Sequence, residues 1–152
     1  MSRIHDGRLR NLDYWGKIRI LHLYSQERRR ERYMCIFIWK ISQGLVSGYT
    51  LPFTCMSSRT GRKVVPATIS PSAPASVKKA RASSLAVKGA QLFNLLPLNL
   101  RNSEHGDVLM FKNHLDIFLS DIPDQPTVSG LGRAAQTNSL VHQIPARLLS
   151  LI

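Results

Sequence analysis

The sequence predicts a mainly α-helical domain with an irregular, Pro- and Ser-rich centre and at most a short β-hairpin. Three observations predict this. Apolar residues recur at helical spacing in three separated stretches. Helix-capping residues stand at the starts of two of them, Ser25 and Asp107. Between them, "VVPATISPSAPAS" (Val64 to Ser76) carries Pro66, Pro71 and Pro74, which no long helix tolerates.

In chain order, residues 1–10 are polar and read as a flexible N-terminus. A first helix is expected over about 11–23, where Leu12, Trp15, Ile18 and Leu21 recur every three residues. Gly16 weakens it by up to about 1 kcal/mol relative to Ala. A second helix is expected over 26–43, capped by Ser25, with Glu27 suited to the dipole and Gly44 as its stop. This helix joins the densest charge of the chain, Glu27 to Arg32, to its densest apolar run. Tyr33, Phe37 and Trp39 are expected to anchor the core. Arg28, Arg29 and Arg32 share one broad face, while Arg30 points toward Glu27.

From about 45 to 88 the composition becomes irregular. Lys63 to Val65 and Leu85 to Val87 have the makings of short strands that pair as a hairpin, an element marginal by itself. "RTGRK" (Arg59 to Lys63) reads as a basic turn. A short helix over 90–96 ends at Pro97. Asp107 caps an amphipathic helix to Ser120 with Val108, Phe111, Leu115, Phe118 and Leu119 on one face and Lys112, Asn113, Asp116 and Ser120 toward water. The apolar faces of the second and last helices, Tyr33 to Ile41 and Phe111 to Leu119, are open either to forming a core with each other or to driving association. Residues 11–121 thus form a single helical domain, and 122–152 read as a mobile C-terminal tail.

The 152 residues hold 21 Lys and Arg against 9 Asp and Glu, a net charge of +12. The first 63 residues hold 13 cations and 4 anions, a net of +9. Such a field favours polyanionic partners, RNA or DNA, and places their site in the first half. The candidate contacts are Arg28, Arg29, Arg32, Arg59, Arg62 and Lys63. About five duplex phosphate contacts would give a salt slope of about 4 to 5. The bland alternative is a solvated face.

Catalytic chemistry has no foothold. No two Asp are adjacent, so there is no paired-carboxylate metal site. His105 and His114, near Glu104 and Asp116, match no metal-ligand spacing. Cys35 and Cys55 read as idle thiols rather than a disulfide. No phosphate-cradling glycine loop and no ordered triad is present. The chain is therefore expected to be no enzyme by itself, with no cofactor, no metal and no small-molecule substrate. The polar N-terminus lacks a signal peptide and no apolar run reaches about 20 residues, so the expected location is cytosolic or nuclear, not secreted, with no membrane partner.

Four stretches carry a resemblance. "LDYWGKIRILHLYSQERRRERYMCIFIWKISQGLV" (Leu12 to Val46) has a tyrosine-bearing helix, the Leu23 to Ser25 turn, the arginine run and the Trp39 to Ile41 helix. "GRKVVP" (Gly61 to Pro66), "KGAQLFNLLPLNLRN" (Lys88 to Asn102) and "VLMFKNHLDIFLSDIPDQP" (Val108 to Pro126) follow in order, and "TNSLVHQ" (Thr137 to Gln143) has a counterpart at the end. Together they resemble the C-terminal region, downstream of the polymerase palm, of reverse transcriptases encoded by non-LTR (LINE-type) retrotransposons. The match covers nearly the whole chain. The palm with its aspartate pair and the endonuclease region are missing, so no catalytic residue carries over. The resemblance implies a fragment of an RNA-directed DNA polymerase that is non-catalytic by itself, whose partners are nucleic acid and the rest of a larger polymerase chain. The alternatives are a structural or interaction module and an unselected remnant of a mobile-element reading frame.

Overall fold

A computed structural model of the chain describes residues 7–47, 71–102, 107–126 and 137–150. Within them the fold is helical, and no strand occurs among the described residues. The elements are α1 (Gly7–Arg10), α2 (Tyr14–Ile20), α3 (Gln26–Ser42), α4 (Ala75–Ala82), a π-helical turn (Leu85–Gly89), α5 (Ala90–Leu95), α6 (Leu98–Arg101), α7 (Val108–Ser120) and α8 (Leu140–Ser150). No helix among the described residues is long and apolar enough to cross a membrane.

The long helix α3 is the axis of the core. Its Cys35, Ile38 and Trp39 pack against Leu92, Phe93 and Leu96 of the α5 segment and against Phe111, Leu115 and Leu119 of α7. The Trp39 indole lies fully buried and stacks on Phe111, ring centroids 4.7 Å apart and planes 10° from parallel. Of the two outcomes open to the apolar faces of α3 and α7, a shared core is the one formed here. Tyr33 departs from the core role expected of it: it sits on the solvent side of α3, 63% exposed. Gly44, at φ +69°, ends α3 in the left-handed conformation that favours glycine, and Leu45 N–H returns to the Lys40 carbonyl at 2.9 Å.

Three further sequence expectations are corrected. The first helix is shorter than 11–23. Asp13 caps it through the Gly16 N–H at 2.9 Å, and His22 at φ 50° closes it. Leu85 to Val87 is helical rather than a strand. The Ser84 carbonyl collects the Lys88 and Gly89 amides, and the π turn runs straight into α5. A Cβ added at Gly89 would crowd Leu85 Cδ1 of the same turn at 2.9 Å, while Ile38 Cγ1 of α3, at 3.5 Å, would be in ordinary contact. The proposed partner strand, Lys63 to Val65, lies outside the described residues.

The last correction concerns the tail. Residues 140–150 form α8, and Leu140 and Ile144 join the core. Pro145 inside that helix hides it from a periodicity reading. Ser139 precedes it, its carbonyl accepting from the His142 and Gln143 amides at 3.1 Å, while the free Leu140 amide finds a partner elsewhere in the chain.

Candidate nucleic-acid interface

The arginine run of α3 divides by face. At about 100° per residue, the inward stripe through Trp39 and Cys35 continues back through Glu31 and Arg28. Both are 0% exposed. Arg28 therefore points into the protein. Its guanidinium donates to the carbonyls of Ile122 (3.3 Å) and Pro123 (3.1 Å) and to Gln143 Oε1 (2.6 Å), with Asp124 at 3.9 Å. Burial lowers the Arg28 pKa, opposed by the charges of Asp124 and Glu31.

Around it a polar clasp closes. Asp124 accepts from the backbone N–H and hydroxyl of Ser25 at 2.6 and 2.7 Å and from Asn138 at 2.8 Å. Ser25 in turn caps α3 through the Arg28 amide at 3.1 Å. Glu31 accepts from the Ser139 hydroxyl at 2.5 Å and from the Leu140 amide at 2.8 Å. A carboxylate from α3 thus supplies the negative charge that the N-terminus of α8 favours. Lys88 bridges Glu31 (3.0 Å) and Glu27 (2.5 Å). Burial alone would depress the Lys88 ammonium, but its bonds to Glu27 and Glu31 win and raise it. The Glu27–Arg30 pairing expected from spacing is replaced by Glu27–Lys88.

Arg32 is committed as well. Its fork grips Asp116 of α7 at 2.6 and 2.7 Å, and the Tyr24 hydroxyl donates to the same carboxylate at 3.1 Å. Burial pulls the Asp116 carboxyl up, but the Arg32 hydrogen bonds and charge outweigh it and hold the carboxyl below its usual range. Asp116, expected to face water, is half-buried. Of the three arginines expected on one phosphate-facing surface, only Arg29 is exposed, with its Nε on the Tyr24 carbonyl at 3.1 Å. Arg59, Arg62 and Lys63 lie outside the described residues.

A denser group of exposed cations stands on another helix. Helix α4, "ASVKKARA", buries no residue, and Lys78, Lys79 and Arg81 are all exposed. Alanine-rich sequence favours this helix intrinsically. Lys79 and Arg81 suit its C-terminal dipole, and the Ser83 and Ser84 hydroxyls satisfy the Ala80 and Arg81 carbonyls at 3.0 and 2.6 Å. Lys78 and Arg81, three residues apart, flank one side, with Lys79 about 100° from Lys78. In the sequence this segment falls within the irregular stretch of about 45 to 88, where no helix is expected. A signal was present: from Arg32 to Ser103 the chain has ten Lys and Arg and no Asp or Glu. No cation of α4 has an acidic neighbour in sequence to neutralise it.

Among the described residues no three His, Cys, Asp or Glu side chains gather as a metal-ligand set. Cys35 is buried, and burial with the Glu31 charge pushes its thiol up to about 12. Comparison of the chain with family models, with curated proteins and with solved structures finds no match.

Proposed function

We propose that the chain is a nucleic-acid-binding helical module, non-catalytic by itself, derived from the C-terminal region of a retrotransposon RNA-directed DNA polymerase. The observation that carries the binding reading is α4: a helix exposed on every side, with three cations and no carboxylate, inside an acid-free stretch of 72 residues. Arg59, Arg62 and Lys63 belong to the same stretch of sequence, and Arg29 adds an exposed cation on α3. The polymerase origin is supported by the ordered motifs that resemble that family. Phosphate contact by point charges of this kind is insensitive to base sequence and sensitive to salt.

The test is fluorescence anisotropy on RNA and duplex DNA across salt concentrations. Lys78→Gln, Lys79→Gln and Arg81→Gln together should lower the duplex salt slope by about 2.7, at about 0.9 per lost contact. They should weaken all sequences alike. Binding that is undetectable at low ionic strength, or a slope unchanged in the triple variant, rejects the reading.

A second reading, an interaction module that docks on the rest of a polymerase chain, is favoured by the outer face of α7. Leu109, Met110 and Ile117 are 62%, 48% and 66% exposed there. Isolated chain that self-associates, and loses this on Ile117→Lys, would favour it.

A further inference from the structure

On the outer side of α3, away from the clasp, lies an open groove of about 470 Å³. Its floor is apolar: Met34, Ile36 and Phe37 of α3 with Leu85 of the π turn. Arg30 and Lys40 stand at its two ends and Lys112 of α7 along its side, and among the described residues no carboxylate lines it. Neither Arg30 nor Lys40 takes part in an ion pair among the described residues. Only Lys112 has an acidic partner nearby, since its charge helps to lower the Asp116 pKa.

We propose that this groove docks an acidic amphipathic helix of a protein partner. The argument is complementarity of charge, shape and length. Arg30, Phe37 and Lys40 follow helical spacing on one face of α3, so the groove runs along the helix. The ten residue steps from Arg30 to Lys40 span about 15 Å. A partner helix of three turns has the same length, with apolar side chains at i, i+4 and i+7 on the floor and carboxylates at both ends against the two cations. The volume lies within the roughly 300–1,000 Å³ usual for concave binding sites. A polynucleotide fits less well. Its bases need flat rings to stack on, and the two rings that line the groove, Tyr33 and Phe37, are outnumbered by Met34, Ile36 and Leu85. The groove and α4 are separate surfaces, so this inference stands apart from the nucleic-acid reading.

The experiment titrates the full chain into a fluorescein-labelled helical peptide of about 14 residues. The peptide carries leucines at i, i+4 and i+7 and glutamates at both ends; a control peptide has lysines in place of the glutamates. The acidic peptide should bind and the basic one should not. Arg30→Gln and Lys40→Gln should each weaken binding about threefold. The double reversal Arg30→Glu with Lys40→Glu should invert the preference toward the basic peptide. Circular dichroism should show the fold unchanged, because neither side chain makes a hydrogen bond on which the fold depends. The Lys78, Lys79 and Arg81 triple variant should bind the acidic peptide as the parent does. Absence of peptide binding, or binding indifferent to the double reversal, overturns the proposal. So does displacement of the peptide by an oligonucleotide whose own binding fails on reversal, which would make the groove a nucleic-acid site. Self-association abolished by the same reversal would assign the groove to a second copy of the chain and likewise overturn it.

Discussion

Arg28→Gln should be among the most damaging single substitutions in the chain, although it removes one arginine from a run of charged residues. Arg28 is 0% exposed and donates three hydrogen bonds to the segment that carries Ile122, Pro123 and Gln143. Charged hydrogen bonds contribute about 1.5–3 kcal/mol each. Removal of the costly buried guanidinium offsets part of that loss, and the net for breaking a buried ionic cluster is about 3–5 kcal/mol. Against a total stability of about 5–15 kcal/mol, that is about a fifth or more. In urea unfolding followed by far-UV circular dichroism, a slope near 2 kcal/mol/M turns a loss of about 4 kcal/mol into a midpoint about 2 M lower. Arg29→Gln, one residue along and exposed, should stay within about 0.5 kcal/mol of the parent. Asp124→Asn should fall between, since it keeps the shape but weakens the bonds from Ser25 and Asn138. If Arg28→Gln and Arg29→Gln prove equally mild, Arg28 is not internal and the clasp does not exist.

Trp39→Ala should cost about 3–5 kcal/mol in the same assay, because it empties the fully buried site stacked on Phe111; a loss under about 1 kcal/mol would place Trp39 at the surface. The Asp116 carboxyl, held below its usual range, stabilises the fold above its unfolded value near 4. That contribution fades as pH falls through the folded value, so Asp116→Asn should flatten stability against pH below about 4. The effect should be about 1 kcal/mol or less, since the Asp116 side chain is 37% exposed. Cys35, with its thiol pushed up to about 12, should react with a disulfide reagent at pH 8 only as fast as the protein opens. Modification of Cys35 at the rate of a free thiol, in a variant with Cys55→Ser, would contradict its burial.

The helical class, the caps at Ser25 and Asp107, and the apolar faces of α3 and α7 were legible because each rests on local chemistry or on a period within one helix; that the two faces meet each other was not. What was not legible is long-range. Arg28 and Glu31 have the spacing of a buried stripe, but their charge marks them as solvated until Asp124, Gln143 and Ser139 arrive from about a hundred residues away. Helix α8 was hidden for the same reason: its N-terminal partner, Glu31, is not in its own sequence. Leu85 to Val87 has β-branched and apolar character that suits a strand, and tertiary packing on α3 overrode it. Helix α4 was passed over because Pro71 and Pro74 lie before it. Yet a proline just ahead of a helix is compatible with its start, and here Pro74 is the N-cap residue.

The most direct test of the account is a backbone hydrogen-exchange footprint of the chain with and without a short RNA at low salt. The account predicts slowed exchange in residues 75–84, while the amides of 28–32 exchange slowly in both states because the clasp already holds them. Protection that appears at 28–32 and leaves 75–84 unchanged would return the phosphate site to the arginine run and contradict the assignment of Arg28 and Arg32 to the interior.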